Sequence, residues 1–211
     1  MQKYLVLIII VYAATVSNAQ NMSWMQTARM QRKGCLELLP TAMGFSDPGA
    51  FRPGWGVNYG LQVTYGVNDR INLTFRNSPY TYFMESEETT SFSYLGVGTK
   101  LNLVEDKFSI LIPLGINISE YFNVQTDVKM YLTKTFANNI SLSLCPTIDA
   151  LLGVSSNLGL GTDLNVTFPL LTEGNNLVFE TGYYIWLESD RGVYAFAGIG
   201  FQFEYWKNGN E

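Results

Sequence analysis

The 211-residue chain contains no histidine. That absence removes histidine-based catalytic triads, haem ligation through histidine and the usual zinc sites. Charge is scarce as well. Only 15% of residues are Asp, Glu, Lys or Arg, against about 25% in an ordinary soluble domain. The formal net charge of −5 offers no basic footprint for nucleic acid. Cys35 and Cys145 are the two cysteines. Both fall in expected strands and read as unpaired thiols, although an oxidising compartment would permit a bond between them. No segment carries a capped helical repeat.

What the chain has instead is aromatic and glycine-rich: 13 tyrosines, 13 phenylalanines and 19 glycines. Its front end, MQKYLVLIIIVYAATVSNAQ, combines Lys3, an apolar run over residues 4–11 and a small-residue stretch closing at Ala19. This is the arrangement of a secretory signal peptide, with cleavage expected after Ala19. The run is well below the ~20 residues that a membrane-spanning helix requires. The chain therefore divides into a signal peptide at 1–19, a short periplasmic N-terminal segment at 20–34, a β-domain at 35–206 and a tail at 207–211.

The β-domain is a succession of alternating segments near 35–45, 56–67, 69–77, 91–103, 107–118, 121–133, 139–150, 156–168, 177–187 and 192–206. Several are longer than the five or so residues of an average soluble strand, and match the roughly nine to eleven that a tilted transmembrane strand needs. In YFNVQTDVKMYL, Phe122, Val124, Val128 and Met130 share one face with Thr126, while Asn123, Gln125, Asp127 and Lys129 share the other. A soluble sandwich would turn the apolar row to a core; a transmembrane barrel turns it to lipid and the polar row to its lumen. Long, nearly charge-free apolar rows favour the second. The fold class expected is all-β, a closed antiparallel up-and-down transmembrane β-barrel of about ten strands, with eight and twelve as neighbouring alternatives. Closure requires segment 35–45 to pair with segment 192–206, because an open edge cannot be satisfied in hydrocarbon. The longer connections, 46–55 and 78–90, are expected outside.

The segments MQTARMQRKGCLELLPTAMGF, YGVNDRINLTF, YLGVGTKLNL and FSILIPLGI resemble small outer-membrane β-barrel proteins of Gram-negative bacteria, particularly those of Bacteroidetes type. The resemblance implies an outer-membrane location and a transport or structural role, and fixes no substrate. The ending differs from the common pattern, since Trp206 is followed by KNGNE.

The inward rows should place Arg70, Arg76, Lys100 and Lys129 opposite Asp127, Asp163, Glu180 and Glu204 as a charge-paired lumen network. A dense mixed set in a narrow barrel braces the interior more readily than it forms a pore. The expected function is accordingly non-enzymatic, structural or narrowly channel-like. Transport of ions or small solutes through an open lumen is the first alternative. A second is surface binding through loop 78–90, where Tyr80 and Tyr82 flank Glu85, Glu87 and Glu88. A lipid-acting enzyme is the least favoured. Ser141 and Ser143 lack a histidine to activate them, and Asp163 with Glu180 reads as a hydrogen-bonding pair. No catalytic, cofactor or metal residues are assigned. The partners expected are outer-membrane lipid and the barrel assembly machinery, with small ions or solutes as candidate permeants and no nucleic acid.

Overall fold

The computed structural model describes residues 24–47, 54–84, 89–118, 122–153, 157–170, 174–187 and 193–205. Ten strands follow in chain order: β1 (Leu36–Asp47), β2 (Gly54–Asn68), β3 (Ile71–Met84), β4 (Thr89–Val104), β5 (Phe108–Ile118), β6 (Phe122–Thr135), β7 (Ser141–Gly153), β8 (Asn157–Pro169), β9 (Asn175–Trp186) and β10 (Val193–Tyr205). Each pairs antiparallel with its sequence neighbours, and β1 pairs with β10, so the sheet is a closed up-and-down barrel. The closing seam runs from Leu36 opposite Tyr205 to Ser46 opposite Ala195.

One end of the barrel, here the lower end, holds Leu36, Tyr205 and the reversals at 69–70, 105–107 and 136–140. Two of these reversals use a left-handed residue that tolerates it, Asp106 at φ 52° and Asn139 at φ 62°. The signal peptide, the tips of the upper connections and the tail at 207–211 lie outside the described residues.

The faces sort as alternation requires. Leu73, Val97, Leu114, Ile148, Leu160 and Phe201 are exposed on the outer wall, while Gln62, Asn72, Lys129 and Asn165 are almost wholly buried inside. An exposed apolar band around a buried polar interior is the reverse of a soluble barrel and is the arrangement of a transmembrane one. Thr126, the weak member of its apolar row, has a local use. The β5–β6 register passes over Ile112 and Pro113, and the Thr126 hydroxyl donates to the Pro113 carbonyl at 2.9 Å, satisfying an acceptor beside the proline.

Segment three is longer than the sequence suggested. Ser78 and Pro79 read as turn residues, yet β3 continues through Met84, with Pro79 opposite Ser93 and Phe83 opposite Thr89. Alternating aromatic and threonine residues carry the strand past the proline. The connection expected at 78–90 thus contracts to 85–88.

Val128 is exposed on the outer wall partway along β6. Val128→Arg should cost about 2–4 kcal/mol in lipid, whereas Leu103→Arg, beside a lower turn, should cost about 0–1 kcal/mol. Denaturant unfolding in lipid vesicles checks the difference, and equal penalties would contradict the depth assignment.

Candidate functional site in the barrel lumen

The lumen is occupied by the chain's own N-terminal segment. Residues 24–34 precede β1, and within them Trp24, Met25, Gln26, Ala28 and Gln31 are buried. The sequence alone assigns this stretch to a segment ahead of the barrel; its backbone is in fact held by inward side chains of three strands, β2, β4 and β6. Gln62 Nε2 donates to the Met25 carbonyl at 3.4 Å, Lys100 Nζ to the Arg29 carbonyl at 2.6 Å and the Tyr131 hydroxyl to the Trp24 carbonyl at 2.8 Å. In the other direction, the Ala28 N–H donates to Thr133 Oγ1 at 2.7 Å. These bonds satisfy main-chain groups that would otherwise be buried without partners.

Side chains add a second set. Gln26 Nε2 reaches Thr74 Oγ1 at 3.3 Å, and Gln31 donates to Glu37, which also accepts from Gln202 at 2.5 Å. Arg29 pairs with Glu204 at 3.6 Å across the lower mouth. Higher up, the Trp24 ring meets Tyr94 edge-on, with centroids 6.1 Å apart and planes at 89°. Tyr94 itself lies across Gly96 and Gly115, where a Cβ on either glycine would collide with its ring. These two glycines are what let a large ring fold flat against so narrow a wall.

A charged layer surrounds this stack. Lys129 and Asp163 form an ion pair at 3.2 Å, both side chains 1% exposed, and Lys129 also lies 5.7 Å from the Tyr184 ring centroid. Gln125 Nε2 donates to Asp127 at 3.3 Å and to Asp149 at 2.6 Å. Arg76, 1% exposed, donates to Ser78 at 3.3 Å, and Ser78 to Asn58 at 2.9 Å. Above lies an apolar cluster that includes Met43, Phe45, Tyr80, Tyr184 and Phe196, in which the Phe45 and Tyr80 rings sit 4.6 Å apart.

Of the residues assigned to the lumen from sequence, Arg76, Lys100, Asp127, Lys129, Asp163 and Glu180 are buried, and Glu204 lines the lower mouth, its side chain 5% exposed. Arg70 is a correction: it lies in the turn between β2 and β3, exposed, because the chain leaves the wall at Asp69. Tyr80 is another, since it faces inward on β3 rather than standing in a loop. Tyr82 lies on β3, and Glu85, Glu87 and Glu88 lie outside the described residues. Sequence reasoning omitted Asp149, although it shares the parity of Ser141 and Ser143 on β7 and alternation could have found it. It omitted Glu37 as well, which shares the inward parity of Thr41 on β1, and Trp24 and Arg29, for which no periodic signal exists.

The serines weighed as nucleophiles are cross-strand partners of threonines, Ser143 with Thr133 at 2.5 Å and Ser141 with Thr135 at 2.9 Å. Both cysteines are free. Cys35 stands at the lower rim, where burial, and then the nearby Glu204 carboxylate, push its thiol pKa up. Among the described residues, no three or more Cys, Asp or Glu side chains are grouped to hold a metal ion. A cavity of about 540 Å³ opens at the lower end, lined by residues including Arg29, Asp106, Asn139, Ser141 and Asn176.

No family model matches the chain, and no curated protein matches it. Among solved structures it is similar to the crystal structure of Neisserial surface protein A (NspA), at 13% identity and TM-score 0.39, over 82% of this chain and 100% of that one. It is similar also to the KdgM porin in complex with disordered oligogalacturonate, at 9% identity and TM-score 0.39, over 82% of this chain and 99% of that one. No residue role is carried over from either.

Removing one member of the Lys129–Asp163 pair leaves a buried charge uncompensated. Lys129→Met should therefore destabilise the barrel by about 3–5 kcal/mol, and Lys129→Met combined with Asp163→Leu should recover most of that loss. Equilibrium unfolding of the three proteins in lipid measures it; a double variant no better than the single would contradict the pairing.

Proposed function

We propose that the protein is a non-enzymatic β-barrel of the bacterial outer membrane whose lumen is held shut by its own N-terminal segment, and whose role is structural. The observation that carries this reading is the grip on residues 24–31. Four main-chain hydrogen bonds and the Trp24–Tyr94 contact occupy the cross-section that a conduit would need. The apolar outer band supports residence in lipid. The signal peptide read from residues 1–19 supports export, and with it an orientation in which the lower end faces the periplasm. Barrel assembly machinery is the partner during biogenesis, and the Bacteroidetes-type resemblance rests on the motifs quoted above. The acidic loop tip remains a candidate surface contact, with Glu85, Glu87 and Glu88 as its charged members.

A second reading, a narrow conduit opened by withdrawal of the segment, draws on the polar cavity beside Arg29 at the lower mouth and on the mixed charges of the wall above it. Planar-bilayer recording separates the two. The intact protein should show no reproducible conductance, and deletion of residues 21–31 should produce discrete steps. Reproducible steps from the intact protein, with a cation to anion preference altered by Lys129→Gln, would overturn the closed reading in favour of the conduit.

A further inference from the structure

Beside the enclosed segment lies a cavity of about 20 Å³, whose lining includes Met25, Gln26, Glu37, Thr167, Val178 and Gln202. It sits between the segment and the neighbouring strands β1, β10, β9 and β8. Three polar side chains meet there from three parts of the chain: Gln26 on the segment, Glu37 on β1 and Thr167 on β8. They are 6%, 5% and 6% exposed.

Each has hydrogen-bonding capacity that its neighbours leave unused. Gln26 spends its amide nitrogen on Thr74, and its Oε1 meets no partner among the described residues. Thr167 Oγ1 meets none either. Its cross-strand neighbours do not serve it, because Val178 on β9 is apolar and Ser141 on β7 is already bonded to Thr135 at 2.9 Å. Glu37 takes the amides of Gln31 and Gln202 on one oxygen, Oε2, so Oε1 remains able to accept. Buried amide and hydroxyl groups left unpaired are costly.

The occupant that relieves this cost has to be small and has to both donate and accept. Glu37 offers only acceptors, whereas an amide and a hydroxyl offer both. A single water needs roughly 10–15 Å³ of such space, so the cavity has room for one and for nothing larger. A metal cation donates no hydrogen bond. Positive charge is also at hand, since the Lys100 ammonium and the Arg29 guanidinium both act on the Glu37 carboxylate.

We infer that Gln26, Glu37 and Thr167 form a binding site for one internal water molecule, which joins the enclosed segment to β1 and β8. Its hydrogens go to Gln26 Oε1 and Glu37 Oε1, and its oxygen accepts from Thr167 Oγ1. Three bonds are the usual number for a buried water. The water ties the segment to β8, a strand from which none of the four main-chain bonds comes. Arg29 lines both this cavity and the larger one at the lower mouth, which gives the water a route of exchange past that side chain. The inference rests on the closed reading, because the segment supplies one of the three ligands.

The test is a crystal structure of the exported, folded protein at a resolution that shows ordered water. One density peak should lie within hydrogen-bonding distance, about 2.7–3.2 Å, of Gln26, Glu37 and Thr167. Crystals soaked in thallium(I) should give no anomalous signal there. Thr167→Val keeps the shape of the side chain and removes its hydroxyl. In that variant the peak should vanish, and amide hydrogen exchange over residues 25–29 should quicken by about threefold or more. The wild-type map decides the matter even where the variant fails to fold. Five results would overturn the inference: no density in the cavity; a direct bond between Gln26 and Thr167 that closes it; thallium bound there, which makes it a cation site; a peak that survives Thr167→Val; or exchange that the loss of the peak leaves unchanged. A map without the water but with residues 24–31 still seated would sink this inference alone, whereas a map with those residues outside the lumen would sink the closed reading too.

Discussion

Hydrocarbon offers no hydrogen bonds, and every other feature of this barrel follows from that constraint. Each main-chain N–H and C=O in the wall must find its partner inside the protein. The seam between β1 and β10 removes the last free edges. Once the sheet is closed, alternation has only two places to send side chains, and the outer one is apolar. Most polar and charged wall residues are therefore gathered into one narrow space, where they must satisfy one another or be satisfied by something brought in.

The enclosed segment answers part of that need. Lys100 finds a carbonyl on Arg29 and Glu37 finds the Gln31 amide. The Tyr131 hydroxyl, which would be an orphan donor in an empty lumen, finds Trp24. Segment and wall are complementary in the sense used for interfaces: buried polar atoms on each side meet donors or acceptors on the other. The glycines under the Tyr94 ring make the same point sterically, because the volume missing at Gly96 on its own strand and at Gly115 on the next is taken up by the ring.

Strand-level features were legible in the sequence because the barrel imposes a strict period of two. Gln125, Asp127 and Lys129 on one face and Val124 and Val128 on the other follow from counting. Counting fails where the chain departs from the wall. Arg70 has the parity of Asn72 but sits in a turn. Tyr80 lies beyond a serine and a proline that normally end a strand, yet the aromatic and threonine residues after them continue it. The pairing of Asp127 with Asp149 depends on register, which turn geometry and packing set jointly and no single strand displays. The course of residues 24–34 was illegible for a different reason: the segment has no regular secondary structure, so it has no period to read.

Most of the bonds that hold this segment end on its carbonyl and amide groups. Tyr131, Gln62, Lys100 and Thr133 would find the same atoms whatever side chains Trp24, Met25, Arg29 and Ala28 carried. Spacing is therefore constrained more tightly than composition. Exchanging one residue removes at most its own side-chain contacts, whereas inserting or deleting one shifts every later carbonyl past its donor at once. Relatives of this protein would be expected to keep the number of residues between Trp24 and β1 while letting many of their identities drift, a signature that comparison by residue identity would overlook and comparison by gap position would reveal.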